Sequence, residues 1–224
     1  MLDRGPGFTQ GLELLDDGRL LHSTGRYGES SLQVLLLGGP AEVSTDLPAE
    51  EFGEGATLVG DTAYQLTWKS GVVHTWSLPD LQPGPDLAIE GEGWGLCHDE
   101  TRDVLWLSDG SAQLQALDLD GLAPGDRVEV TERGEPVPML NELECVDGQV
   151  WANIWHDDDL VRIDPATGEV TDRVDLSGVV ETEGAAGEED VLNGIAYDEA
   201  DGTFLVTGKN WGHLYRVRLV AVDG

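Results

Sequence analysis

Phe52-Gly53-Glu54-Gly55-Ala56-Thr57 sets a carboxylate between two glycines, at the entrance to an apolar-alternating run that ends at Trp68. Four other places repeat the pattern of a small or polar turn entering a strand: Gln10-Gly11-Leu12, Trp94-Gly95-Leu96, Asn141-Glu142-Leu143 and Asn193-Gly194-Ile195. Aligned on one another, Gln10, Glu54, Trp94, Asn141 and Asn193 hold the same place in five copies of one unit. Successive copies lie 44, 40, 47 and 52 residues apart, the period range of a β-propeller blade. In a closed propeller, equivalent positions form a ring about the central axis. This ring would hold three amides, one carboxylate and one indole, and the chemistry is expected there.

Within each copy the chain reads as strands of about five residues separated by turns, with no helical period over a full window. Asp16-Asp17-Gly18 and Asp147-Gly148 are tight turns, and Asp164-Pro165-Ala166-Thr167-Gly168 is a turn that serves the fold rather than chemistry. The expectation is an all-β chain forming a five-bladed β-propeller in one domain, with blades at about 8–47, 52–87, 93–130, 139–176 and 191–222. A sandwich is the rival, but its strands would not need equivalent starts. The acidic, glycine-rich stretch from Glu181 to Asp190 reads as a loop. The residues before Phe8 contain two glycines and a proline, a poor strand. The fifth blade is therefore expected to lack its fourth strand, or to carry a stub of about three or four residues, leaving the edge at His213 to Leu219 open. On that reading the chain is a shortened form of a longer protein, without its leader and first strand.

The 224 residues carry 44 acidic against 12 basic side chains, a net charge of −32. Phosphate contacts need Lys and Arg, so nucleic-acid binding is not expected. An anionic membrane would repel the chain, no apolar run approaches the length of a membrane helix, and cationic or neutral ligands are favoured. A solvated acidic surface, as in a GC-rich or salt-adapted organism, accounts for the charge. Met1 to Gly7 has no basic region followed by an apolar core, so no secretory signal is read there and the compartment stays open. Cys97 and Cys145 show no metal-ligand spacing and are expected to be buried free thiols. No metal site is expected.

Fourteen residues beyond each ring position stand Thr24, Trp68, Ser108, Trp155 and Thr207, at the end of each second strand. One face would then gather Trp68, Trp94 and Trp155 around Glu54, with Lys69, Asp109, His156 and Lys209 just beyond the second-strand ends. Trp76, Trp106 and Trp151 are read as core. A carboxyl desolvated by aromatics has a raised pKa, which suits proton transfer near neutral pH. Asn141, Gln10 and Lys209 could hold a carbonyl oxygen that gains negative charge. The alternative role for Glu54 is to cap backbone N–H groups at the pore. No nucleophile elbow is present.

The same residues carry a resemblance. Phe8-Thr9-Gln10-Gly11-Leu12, Phe52-Gly53-Glu54-Gly55, Glu92-Gly93-Trp94-Gly95-Leu96, Leu107-Ser108-Asp109-Gly110-Ser111, Asn141-Glu142-Leu143-Glu144, Ala152-Asn153-Ile154-Trp155, Leu192-Asn193-Gly194-Ile195-Ala196 and Thr207-Gly208-Lys209-Asn210-Trp211 stand in the order found in plant- and bacterial-type glutaminyl-peptide cyclotransferases. The chain resembles that family of five-bladed propellers. The resemblance implies conversion of an N-terminal glutamine of a peptide or protein to pyroglutamate, with release of ammonia, no cofactor, and action as a monomer. It implies Glu54 as catalytic acid–base, with Lys209 and Asn141 beside it, and Phe8, Gln10, Phe52, Trp68, Trp94 and Trp155 as the substrate pocket. Gly212 stands where the family often has proline, which should loosen that loop, and only seven residues precede the Phe8 motif. The alternatives are a metal-dependent, lactonase-like propeller hydrolase and a non-catalytic binding propeller.

Overall fold

The computed structural model describes residues 1–221 other than Arg4 and Pro6. It is a five-bladed β-propeller of five small antiparallel-built sheets. The innermost strands are Phe8–Leu14, Gly53–Val59, Leu96–Asp99, Leu140–Val146 and Leu192–Asp198. Each packs on the inner strands of both neighbouring blades, so the circle closes. From each inner strand the chain steps outward through hairpins, as from Gly53–Val59 to Thr62–Thr67 to Val72–Ser77.

The hydrophobic core follows from this geometry. Alternating residues on twisted sheets face neighbouring blades, and the buried apolar side chains fall into five clusters, one in each gap. Trp76 fills the gap between the first two blades, Trp106 that between the third and fourth, and Trp151 that between the fourth and fifth. All three are buried, as core residues should be.

Three features depart from the sequence expectations, and a fourth bears on the edge of the last blade. Cys97 and Cys145 form a disulfide, with Cα atoms 5.4 Å apart. Both thiols stand on inner strands, and the packing of adjacent blades brings those strands together, which sequence separation concealed. The segment from Glu181 is not all loop, because Ser177–Glu183 is a helix ended by left-handed Gly184. Val179 and Val180 pack on the core between blades four and five, and seven residues are too few to show a helical period. The fourth blade gains a hairpin, Thr131–Glu132 with Glu135–Pro136, which joins its outer strand in parallel at Thr131 and Glu169. Lastly, Leu2–Asp3 pairs with Leu214 and His213, so the fifth blade has a fourth strand from the N-terminal side, two residues long. Leu2 also packs on the core between blades five and one. Two pairs cover only the start of the edge, in keeping with a stub rather than a full strand.

Gly212 likewise behaves differently from the expected loose loop. Its N–H donates to Glu183 Oε1 at 2.6 Å, a bond that proline could not make. Tyr215 Oη donates to the other oxygen of Glu183 at 2.7 Å, and together these tie the helix to the last blade.

Candidate active site

The ring positions lie where the inner strands begin, and the pairing of four of those strands shifts register there: between Thr9 and Gly11, Gly53 and Ala56, Leu140 and Leu143, and Leu192 and Ile195. A bulge turns a side chain out of the sheet's alternation. Here it frees Gln10, Glu54, Asn141 and Asn193 from the blade gaps. Glycine follows at Gly55 and Gly95 for steric reasons. A Cβ on Gly55 would meet Trp94 O at 2.8 Å, and one on Gly95 would meet Asn141 O at 2.0 Å. Adjacent blades touch backbone to backbone at this point.

The ring is wired by amides. Asn193 Nδ2 donates to Thr9 O at 3.1 Å and to Gln10 Oε1 at 3.4 Å. Gln10 Nε2 then donates to Glu54 Oε2 at 2.5 Å. The second-strand positions divide into two roles. Ser108 Oγ donates to Asn141 O at 2.6 Å and accepts Gly95 N–H at 2.8 Å, while Thr207 Oγ1 donates to His213 O at 2.8 Å, so the small residues tie backbone. Trp68 and Trp155, at the equivalent places, wall a cavity.

That cavity, about 370 Å³, is lined by Phe8, Gln10, Phe52, Glu54, Trp68, Trp94, Asn141, Trp155 and Lys209, with Arg26 and Glu189. The nine residues singled out from the sequence are thus brought together. Trp94 and Trp155 meet edge to face at 5.7 Å, as do Phe52 and Trp68 at 5.7 Å. Glu54 is only 4 % exposed, and burial pushes its carboxyl well above the usual carboxylate range, against the pull of the Lys209 charge and the Gln10 hydrogen bond. Burial draws the Lys209 ammonium below its ordinary value, and Glu54 partly restores it. Lys209 Nζ lies 5.3 Å from the Phe8 ring centre and 5.5 Å from that of Trp155, a cation–π setting that supports a charge out of water. Asn141 Oδ1 and Trp155 Nε1 are buried without a hydrogen-bond partner, leaving an acceptor and a donor available in the cavity wall.

Lys69 stays at the rim, its ammonium 3.8 Å over the Trp68 ring. His156 stacks on Trp155, and Asp109 accepts Ser111 N–H in its own turn. Arg26 and Glu189 escaped the sequence reading. Arg26 donates to Asn210 Oδ1 at 2.7 Å and lies over Phe8, while Glu189 follows the short helix. Both come from loops outside the repeat register, where no sequence pattern pointed to them. A larger, acidic cavity of about 820 Å³ opens at the far ends of the inner strands, lined by Glu13, Glu100, Glu144 and Glu199 among others. It lacks the tryptophans. Among the described residues no three His, Cys, Asp or Glu side chains are grouped as a metal site requires.

Fold and cavity together define a five-bladed propeller with a buried carboxylate and ammonium in an aromatic pocket at one mouth of the channel. The chain belongs to the glutamine cyclotransferase family, whose model matches residues 5–219. It is 37% identical over 216 residues to the glutaminyl-peptide cyclotransferase of Arabidopsis thaliana, covering 95% of this chain and 67% of that protein. The crystal structure of Myxococcus xanthus glutaminyl cyclase superposes with a TM-score of 0.90 at 40% identity, over 97% of this chain and 92% of that one. A hydrazine synthase from Kuenenia stuttgartiensis, at 13% identity, TM-score 0.55, and coverage of 93% of this chain and 57% of that one, shares the fold alone.

Proposed function

We propose that this chain is a glutaminyl-peptide cyclotransferase, closing the N-terminal glutamine of a peptide or protein to pyroglutamate with Glu54 as proton carrier. The observation that supports it best is a single buried carboxylate, hydrogen-bonded to Gln10 and balanced by Lys209, on the wall of an aromatic cavity.

The reaction is intramolecular, so the enzyme's task is to fold the glutamine into an attack conformation and to move protons. The α-amine must first lose a proton, from a group whose reference pKa is about 7.7–8.0. The raised basicity of Glu54 brings it nearer that value and makes it a better acceptor than an exposed carboxylate. The freed amine attacks the side-chain amide carbon, and the carbonyl oxygen takes up negative charge. Lys209 and Asn141 stabilise that oxygen. The C–N bond to the amide nitrogen then breaks. The α-nitrogen gives up two protons from its ammonium form, and the departing nitrogen takes up two, leaving as ammonium. Glu54 carries them. Phe8, Phe52, Trp68, Trp94 and Trp155 pack on the glutamine stem and keep water from hydrolysing the amide.

Incubation with a glutamine-leading peptide should release ammonia and lower the peptide mass by one ammonia. A peptide that keeps its mass overturns the reading. Activity lost to a chelator and restored by a divalent ion would favour the lactonase-like alternative.

A further inference from the structure

Two of the pocket's indoles are held from outside it. Trp68 leaves the second strand of blade two, and Trp94 enters the inner strand of blade three. Their backbones are anchored, Trp68 N–H to Phe52 O at 2.9 Å and Trp94 N–H to Ser108 O at 2.9 Å. Those bonds fix the backbone and not the two side-chain torsions, and inside the pocket Trp68 packs on Phe52 and Trp94 on Trp155. Glu92 restrains both rings. Its Oε2 accepts the indole N–H of Trp68 at 2.7 Å and that of Trp94 at 3.2 Å. Its Oε1 lies 3.6 Å from Lys69 Nζ, and that ammonium sits over the Trp68 ring. One carboxylate thus joins three side chains from two blades.

The backbone that carries Glu92 has a fixed seat. Gly91 before it adopts a positive φ of 86°, and Gly93 after it donates its N–H to Trp68 O at 3.2 Å. A Cβ on Gly93 would come within 3.1 Å of Leu66 Cδ1, so the backbone lies tight on the core. Glu92 does not line the cavity.

We propose that Glu92 is a positioning residue for substrate binding, setting the angle between Trp68 and Trp94 and so the width of the slot that grips the glutamine stem. This rests on the cyclotransferase reading above. Charge-assisted hydrogen bonds are the stronger kind, and two of them to one carboxylate set the two rings relative to each other. Negative charge at Glu92 also adds to the forces raising the Glu54 carboxyl, a second, electrostatic link between rim and floor.

The test is a pair of substitutions, read by kinetics and by the indole N–H resonances in a ¹H–¹⁵N spectrum, assigned through Trp68→Phe and Trp94→Phe. In Glu92→Ala the Trp68 and Trp94 resonances should shift upfield while those of Trp76, Trp106, Trp151 and Trp211, which lie in the gaps between blades, stay in place. KM for a glutamine-leading peptide should rise about 10-fold or more, with kcat within about 3-fold, the scale of losing hydrogen bonds to a charged acceptor. Glu92→Gln keeps an acceptor oxygen and should restore both resonances most of the way, with KM within about 3-fold of wild type. The proposal is overturned if Glu92→Ala leaves both resonances unmoved, if KM stays within about 2-fold, or if kcat falls while KM does not. A wild-type chain without turnover would defeat the cyclotransferase reading, whereas unmoved resonances would defeat the role of Glu92, so the two failures are separate.

Discussion

At the scale of the residue, the proposed chemistry turns on the buried Glu54 carboxyl, and the first prediction follows from it. Glu54→Gln keeps the shape, and its amide oxygen can still accept from Gln10, but an amide does not take up and release a proton near neutral pH. Turnover should fall by about 10² to 10⁴ with the fold intact by circular dichroism, and a variant retaining more than about a tenth of wild-type ammonia release would remove Glu54 as proton carrier. The two lysines separate a site role from a rim role. Lys209 is 6 % exposed beside Glu54, while the Lys69 side chain is 52 % exposed and rests on Trp68 and Glu92. Lys209→Ala should lower kcat by about 10-fold or more, and Lys69→Ala should change kcat/KM by less than about 3-fold, because an exposed ion pair contributes little. Equal losses at both would refute the distinction. Gln10, Glu54 and Asn141 were legible because each enters an inner strand at the same register, and Trp68 and Trp155 because each ends a second strand at a fixed distance from it. Arg26 and Glu189 in the pocket wall, and Glu92 behind it, could not be placed from register, because a loop has no period to fix where its side chains point.

At the scale of the element, the inner strands carry both the fold and the site. The five clusters between blades repay alternation in the sequence, which is why the blades could be read from spacing alone. What spacing could not report is contact between strands of different blades, and the disulfide is such a contact. Cys97 stands three residues beyond Trp94 and Cys145 four beyond Asn141, so the bond ties together the two strands that bring those side chains to the pocket. It closes a sequence separation of 48 residues, for which chain entropy suggests about 4 kcal/mol of stabilisation. A Cys97→Ser, Cys145→Ser double variant should lose about 2–5 kcal/mol in urea unfolding under oxidising conditions and match the reduced wild type. A midpoint unchanged from the oxidised wild type would show that the tie adds nothing. The helix Ser177–Glu183 was invisible for the opposite reason: its stability comes from Val179, Val180 and the Glu183 bonds to the last blade, not from any pattern of its own.

At the scale of the whole molecule, charge acts in two separable ways. Most of the net −32 lies on an accessible surface of 10029 Å², so like charges repel across the outside, and salt should relieve that repulsion. The melting temperature should therefore rise between low and molar KCl, and one that does not rise would sink the salt-adapted reading of the composition. The interior responds to pH instead. Burial raises the carboxyls of Glu13, Glu142 and Glu144, each of which accepts a backbone N–H from another blade: Leu58, Leu12 and Ile195, and Tyr197 respectively. For Glu13 the value rises from 4.5 to about 7. A raised folded-state value means that the folded chain holds protons the unfolded chain has released. The stability from this group is then full below pH 4.5 and is lost as pH climbs through about 7. Glu13 is half-buried and lines the acidic cavity, so water limits the effect to at most about 3 kcal/mol. The melting temperature should accordingly be higher at about pH 5.5 than at about pH 8 by several degrees. Surface carboxylates with ordinary values stay ionised across that window, so the difference should survive molar salt, which screens the surface but not the interior. Glu13→Gln removes the titrating group while keeping an acceptor oxygen for Leu58 N–H, and the gap between the two pH values should narrow. A gap that vanishes in salt would assign the pH dependence to the surface, and one that Glu13→Gln leaves unchanged would take it away from Glu13.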